Sequence, residues 1–169
     1  MRDTHQTPTL PHLLGAAAAL AAGLTLAPAT ASAQLRASAF AGVEAMRRDG
    51  ATAVGRVEGT VALLPFLHFG AYLSGTRDFT DGRSVPSIGG LVAFRPPMPF
   101  TRWSPMAFAS YGWMRQGEDT GTMLQLGGGL VRRTLPFLDF ELRGAFVQHM
   151  GLQQGNTGFQ IALGLSLHP

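Results

Sequence analysis

The chain has 169 residues with 22 glycines, 11 prolines and no cysteine, so one compact domain is expected, while a disulfide scaffold and a thiolate metal site are excluded. All 13 basic residues are arginine and the formal charge is +3, yet only Arg47-Arg48 and Arg132-Arg133 adjoin; a nucleic-acid binder would cluster them beside stacking aromatics, so no nucleic-acid partner is expected. Charged residues make up 14% of the chain against a globular norm of ~25%, but no apolar run after the first thirty residues is long enough to span a membrane, which is what alternation of apolar and polar positions produces.

Residues 1–33 read as an export leader. Met1 to His12 is polar and carries Arg2, Leu13 to Leu26 is an apolar helical core, and Ala27-Pro28-Ala29-Thr30 breaks it. Ala31-Ser32-Ala33 offers the small residues that signal peptidase cuts after, with Gln34 as the mature start. The competing reading, an uncleaved anchor, needs an apolar run nearer to ~20 residues. A cleavable signal peptide over 1–33, Sec-dependent export and a mature domain over 34–169 are expected.

The first strand is predicted over Leu35 to Met46, followed by the turn Arg47-Arg48-Asp49-Gly50, whose Asp-Gly pair is a hairpin signal. The second, Thr52 to Leu64, sets Val57, Gly59, Val61 and Leu63 on one face and Arg56, Glu58 and Thr60 on the other. Pro65-Phe66 leads into the third, His68 to Thr76, and Arg77 to Pro86 reads as a polar loop of ten residues. The fourth strand is predicted over Ser87 to Arg95. The Pro-rich stretch Pro96 to Pro105 then interrupts any ladder, because proline has no N–H to donate. The fifth, Met106 to Arg115, is apolar on both faces, so neither Tyr111 and Trp113 nor Met106, Phe108 and Met114 can be assigned inward or outward. A polar loop over Gln116 to Gly121 precedes the sixth strand, Thr122 to Arg132. The seventh, Leu138 to Gln148, has Phe140 and Leu142 on one face against Asp139, Glu141 and Arg143 on the other. After the polar stretch His149 to Gly158, the eighth alternates most cleanly, with Phe159, Ile161, Leu163, Leu165 and Leu167 on one side.

One twelve-residue stretch, 64–75, recurs over 135–146, its opening Leu64-Pro65-Phe66-Leu67-His68-Phe69 returning 71 positions later as Leu135-Pro136-Phe137-Leu138-Asp139-Phe140. In both copies a Pro-Phe turn opens a strand of period two. The connections alternate in kind, polar Gly/Asp/Asn loops after the odd strands and Pro-aromatic turns after the even ones, so the two ends of the structure face different surroundings. Three charges in a row behind an apolar face suit a strand whose outside meets lipid and whose inside meets polar groups. The fold class expected is therefore all-β, an eight-stranded antiparallel up-and-down transmembrane β-barrel behind a cleavable signal peptide. In lipid it must close, since an open edge would strand unpaired N–H and C=O groups at several kcal/mol each. Eight strands leave a lumen that side chains can fill. Arg56, Glu58, Tyr72, Asp139, Glu141 and Arg143, with Arg36, Glu44 and Arg95, are expected to fill it as a structural network of paired charges.

On its leader, its eight alternating segments and its terminal strand Phe159 to Leu167, the chain resembles the small outer-membrane barrels of the OmpA, OmpX and OmpW type. It departs from them in ending Leu165-Ser166-Leu167-His168-Pro169, where such barrels finish on an aromatic residue read by the assembly machinery. The resemblance implies a cell outer-membrane location and an envelope-integrity role. It also implies contact with outer-membrane lipid and lipopolysaccharide, and with periplasmic chaperones and the barrel-assembly machinery during biogenesis. OmpW-type barrels add passage of small apolar solutes to the possibilities.

Two alternatives stand beside it. A secreted or periplasmic lipocalin-like barrel would need an apolar inside and a polar outside. A lipid A-modifying barrel enzyme would need a nucleophile and base in reach of one another near the membrane surface. His149 with Ser110 and His168 with Ser166 fall at similar heights, but no nucleophile motif surrounds them. Asp139 and Glu141 are followed on the same face by Arg143, which favours a salt network over a pair of catalytic acids. No catalytic residue, metal-ligand spacing or cofactor loop is assigned, since Gly127-Gly128-Gly129 lies within a strand.

Overall fold

The computed structural model describes residues 35–48, 50–79, 82–96, 98, 101–151 and 155–168; the leader read over 1–33 lies outside them. Eight strands follow one another: β1 Leu35–Met46, β2 Gly50–Leu64, β3 Leu67–Asp78, β4 Ser84–Phe94, β5 Trp103–Gln116, β6 Asp119–Leu135, β7 Leu138–Met150 and β8 Asn156–Leu167. Each pairs antiparallel with its neighbours in sequence, and β1 pairs with β8, so the sheet is a closed barrel.

The stagger of that closure can be followed along one outward-facing row. Leu35 pairs with Val61, and the row continues through Phe69, Val92, Ala109, Leu126, Phe146 and Phe159 before returning to β1 at Ala45, ten residues from its start. Such a shear over eight strands tilts them by roughly 40°. With that tilt and ~3.4 Å per residue, the ten residues from Trp103 to Trp113 on β5 climb about 26 Å, close to the height of the apolar band of a membrane barrel.

The alternation runs apolar outward. Val43, Ile88, Leu126, Leu130, Leu142, Ile161, Leu163, Leu165 and Leu167 are all exposed, while Arg56, Glu58, Asp139, Glu141 and Arg143 are buried. A lipocalin-like interior would invert this pattern. On β5 the ambiguity is resolved: Met106, Phe108, Ser110 and Met114 point inward, and Trp103, Tyr111 and Trp113 point out. The outward choice gives the barrel a second aromatic belt. Phe66, Phe69, Phe94, Trp103 and Phe137 ring the turn end, as the sequence suggests, whereas Tyr111, Trp113, Phe146 and Phe159 ring the loop end. Phe66 packs edge-on against Phe94, and Phe146 against Phe159, each at 5.7 Å between ring centroids.

The two copies of the repeated motif adopt the same turn. Leu64 pairs with Leu67 across Pro65-Phe66, and Leu135 with Leu138 across Pro136-Phe137, each preceded by a register irregularity, between Ala62 and Leu64 and between Arg133 and Leu135. At the opposite end the loops are shorter than the sequence reading has them. The ten-residue loop expected at Arg77 to Pro86 shrinks, because Arg77 pairs with Ser84 and Gly82 takes a positive φ of 69°. Pro86 is tolerated within β4 because the β4–β5 ladder starts one residue later, at Ser87 with Met114. The loop expected over Gln116 to Gly121 is a two-residue hairpin: Gln116 pairs with Asp119, and Gly117, at φ 63°, takes the first central position of a type II′ turn. Likewise β8 begins at Asn156 within the stretch read as loop. Polar residues at strand ends were mistaken for loop because exposure, and not the lack of a partner, sets their chemistry.

Candidate functional site in the barrel interior

The inward positions of β1, β2 and β7, with Arg95 just past β4, place four arginines and four carboxylates inside the wall: Arg36, Arg56, Arg95 and Arg143 with Glu44, Glu58, Asp139 and Glu141. Glu141, with no exposed surface, is the hub. Arg95 binds it with both terminal nitrogens, at 2.6 and 3.2 Å, and Arg143 approaches through Nη2 at 2.9 Å and Nε at 3.1 Å. Ser166 donates its hydroxyl to the same carboxylate and shares a 2.7 Å hydrogen bond with Ser38. Arg143 reaches across the lumen to Glu58 at 2.8 Å, and Arg56 Nε lies 2.6 Å from the same Oε1. Nearest the turn end, Arg36 Nη1 lies 2.5 Å from Asp139, with His168 3.4 Å from the same Oδ2. Charges this deep persist only when paired.

The guanidinium planes also lie on rings. Arg56 sits 3.8 Å from the Tyr72 ring centroid and Arg143 3.8 Å from that of Phe40, with Phe108 at 5.1 Å. Arginine does this readily because its face is weakly hydrated, which gives a reason for a chain without lysine. Glycine makes the room. An added Cβ at Gly127 would fall 2.7 Å from Phe108 Cζ, and one at Gly164 would meet the Phe40 ring.

Toward the loop end charges give way to amides. Gln125 accepts from Arg56 Nη1 and, at 3.1 Å, from the Ser110 hydroxyl, and donates to Gln160 at 2.7 Å. Between Phe40, Phe108, Arg56 and Arg143 the remaining space is about 10 Å³, no more than a single water needs. The lumen is therefore plugged at mid-height.

All six residues named from the sequence as a lumen network, Arg56, Glu58, Tyr72, Asp139, Glu141 and Arg143, point into this interior. Asp139 engages Arg36 and His168, and joins the central cluster through Arg36, whose Nη1 also lies 3.7 Å from Glu141. The lumen network expected from the sequence omits Gln125, Gln160 and Ser166, the last weighed there only beside His168; the available signal is a polar side chain at an inward position of an otherwise apolar strand. Of the histidine–serine pairs considered for catalysis, Ser110 gives its proton to an amide oxygen and Ser166 to Glu141, so neither hydroxyl is turned to an imidazole base. His149 Nε2 instead lies 3.5 Å from Glu44.

No protein-family model matches the chain, and a search of curated proteins finds no match. Among solved structures, Neisserial surface protein A (NspA) superposes with a TM-score of 0.62 at 13% identity, over 81% of this chain and 97% of that one. The N-terminal β-barrel domain of Pseudomonas aeruginosa OprF gives 0.55 at 14% identity, over 79% and 97%. A de novo designed transmembrane β-barrel gives 0.50 at 13%, over 80% and 95%. At such identities the likeness is one of fold: this chain forms a closed eight-stranded antiparallel barrel of the kind found in the outer-membrane proteins NspA and OprF.

Proposed function

We propose that the chain is a small integral protein of the bacterial outer membrane, exported with removal of residues 1–33, whose plugged barrel serves envelope integrity and does not conduct. The observation that carries this reading is the polarity of the wall: exposed Leu163 and Leu165 outside, fully buried Glu141 inside, between two aromatic belts. Such a surface is at home only in lipid and its lipopolysaccharide leaflet. The turns and both ends of the described chain then face the periplasm, where chaperones and the assembly machinery would deliver it.

Solute passage is disfavoured by the ~10 Å³ gap left at mid-lumen, so a planar bilayer containing the protein should show no steady conductance. The decisive experiment is fractionation combined with protease treatment of intact cells. The protein should pellet with the outer membrane, resist carbonate extraction, migrate differently on gels with and without heating, and be nicked at loop-end connections such as those near residues 79–83 and 117–118 and not at the Pro-aromatic turns. Recovery in the soluble periplasmic fraction would overturn the reading. An envelope role further expects that deletion raises sensitivity to bile salts and large antibiotics, with wild-type sensitivity as the contrary result.

A further inference from the structure

We propose that the loop-end cavity of the barrel binds a small organic cation, a primary ammonium carrying a short apolar group. Above the amide layer the interior opens into a cavity of about 180 Å³. Glu44, Thr52 and Asp78 stand side by side on it, because Glu44 pairs with Thr52 and Thr52 with Asp78 across β1, β2 and β3. Met46, Met114 and Val85 supply an apolar wall to the same space.

Glu44 carries the argument. It is 1% exposed, and its Oε2 has no hydrogen-bond partner among the described residues. The other three interior carboxylates each hold an arginine at 2.5 to 2.8 Å, whereas Glu44 has only the His149 imidazole, at 3.5 Å from Oε1. A carboxylate shielded from bulk water with a bare oxygen calls for an N–H donor. An ammonium supplies it, with Thr52 Oγ1, which donates to the Glu44 carbonyl at 3.4 Å, beside it as a second acceptor and Asp78 on the same wall. Arg83 also lines the cavity, and its carbonyl accepts from the Asp78 amide at 2.9 Å. A metal ion suits the site less well, since no group of three His, Asp or Glu among the described residues could hold one. The methionine side chains, flexible and polarisable, accept apolar groups of varied shape, so the site selects charge more strictly than shape.

The test uses the purified protein in detergent, so its failure leaves the envelope assignment untouched. Isothermal titration compares 2-phenylethylamine with its neutral isostere 2-phenylethanol. The amine should bind saturably with one site, about tenfold or more tighter than the alcohol, and Glu44→Gln should weaken the amine by about tenfold while leaving the alcohol unchanged. Asp78→Asn should weaken it only about two- to threefold. Equal affinity for amine and alcohol, absence of saturable amine binding, or a folded Glu44→Gln protein that binds like wild type would each overturn the proposal. Should Glu44→Gln fail to fold, the comparison of amine with alcohol on the wild-type protein decides alone.

Discussion

On β7, β8, β1 and β2 the interior face carries Asp139, Glu141, Arg143, Ser166, Arg36, Arg56 and Glu58; on β3 to β6 it carries Tyr72, Leu91, Met106, Phe108 and Met123. One wall holds the four buried carboxylates and the other holds eight of the ten residues of the apolar core, with His68, Ser110 and Gln125 among them and Ala145 and Val147 carrying the core onto β7, although both present the same kind of outer surface. The seam between them is guanidinium on ring, Arg56 on Tyr72 and Arg143 between Phe40 and Phe108. Edges of those guanidiniums bond carboxylates on one side while their faces cover aromatics on the other. The contrast teaches that a lumen of this width is filled by matching two half-cores and not by spreading charges evenly, and that arginine is the residue able to belong to both.

The largest effect should come from removing the hub of the polar wall. Glu141→Leu leaves Arg95 and Arg143 without their common partner and should cost about 3–5 kcal/mol in urea unfolding followed by gel mobility, whereas Met106→Leu on the apolar wall should cost less than about 1.5 kcal/mol. Equal costs would abolish the distinction between the walls. The shared exterior is probed next: Leu163→Arg, placed on the lipid side near mid-strand, should cost about 2–4 kcal/mol, and a neutral result would mean that this face meets water. Arg143→Lys keeps the charge but loses the fork and the stacked plane, so about 2 kcal/mol is expected by the same assay. The smallest contrast concerns glycines. Gly127→Ala pushes against the Gly144 carbonyl oxygen and the Phe108 ring and should cost about 1–3 kcal/mol, while Gly55→Ala, with nothing within 4 Å of the new methyl, should stay within about 0.5 kcal/mol of wild type.

The same contrast explains what could be read in advance. β2, β7 and β8 are legible because charged, polar or small side chains alternate with larger apolar ones, so their outward faces follow from period two alone. β5 is not: Met106, Phe108 and Met114 are as apolar as Tyr111 and Trp113, and only its register with β4 and β6 decides between them. The loop-end belt was hidden by the same ambiguity, since Tyr111 and Trp113 belong to it. Inward parity follows from sequence, but pairing does not. Arg143 meets Glu58 across 85 residues and Arg36 meets Asp139 across 103, and those meetings depend on a stagger that no local pattern encodes. The loop-end cavity with Glu44 is the least legible feature, because a cavity is a property of what the neighbouring strands leave out.

The seam between β1 and β8, where Ala37 lies opposite Leu167 and Met46 opposite Gly158, joins the first strand made to the last. Every shorter piece of the chain therefore ends in a strand with an unsatisfied flank. A chain cut before β8 leaves the flanks of β1 and β7 unpaired, so closure is all or nothing; on the membrane reading proposed above, such a truncation should remove the protein from the membrane altogether.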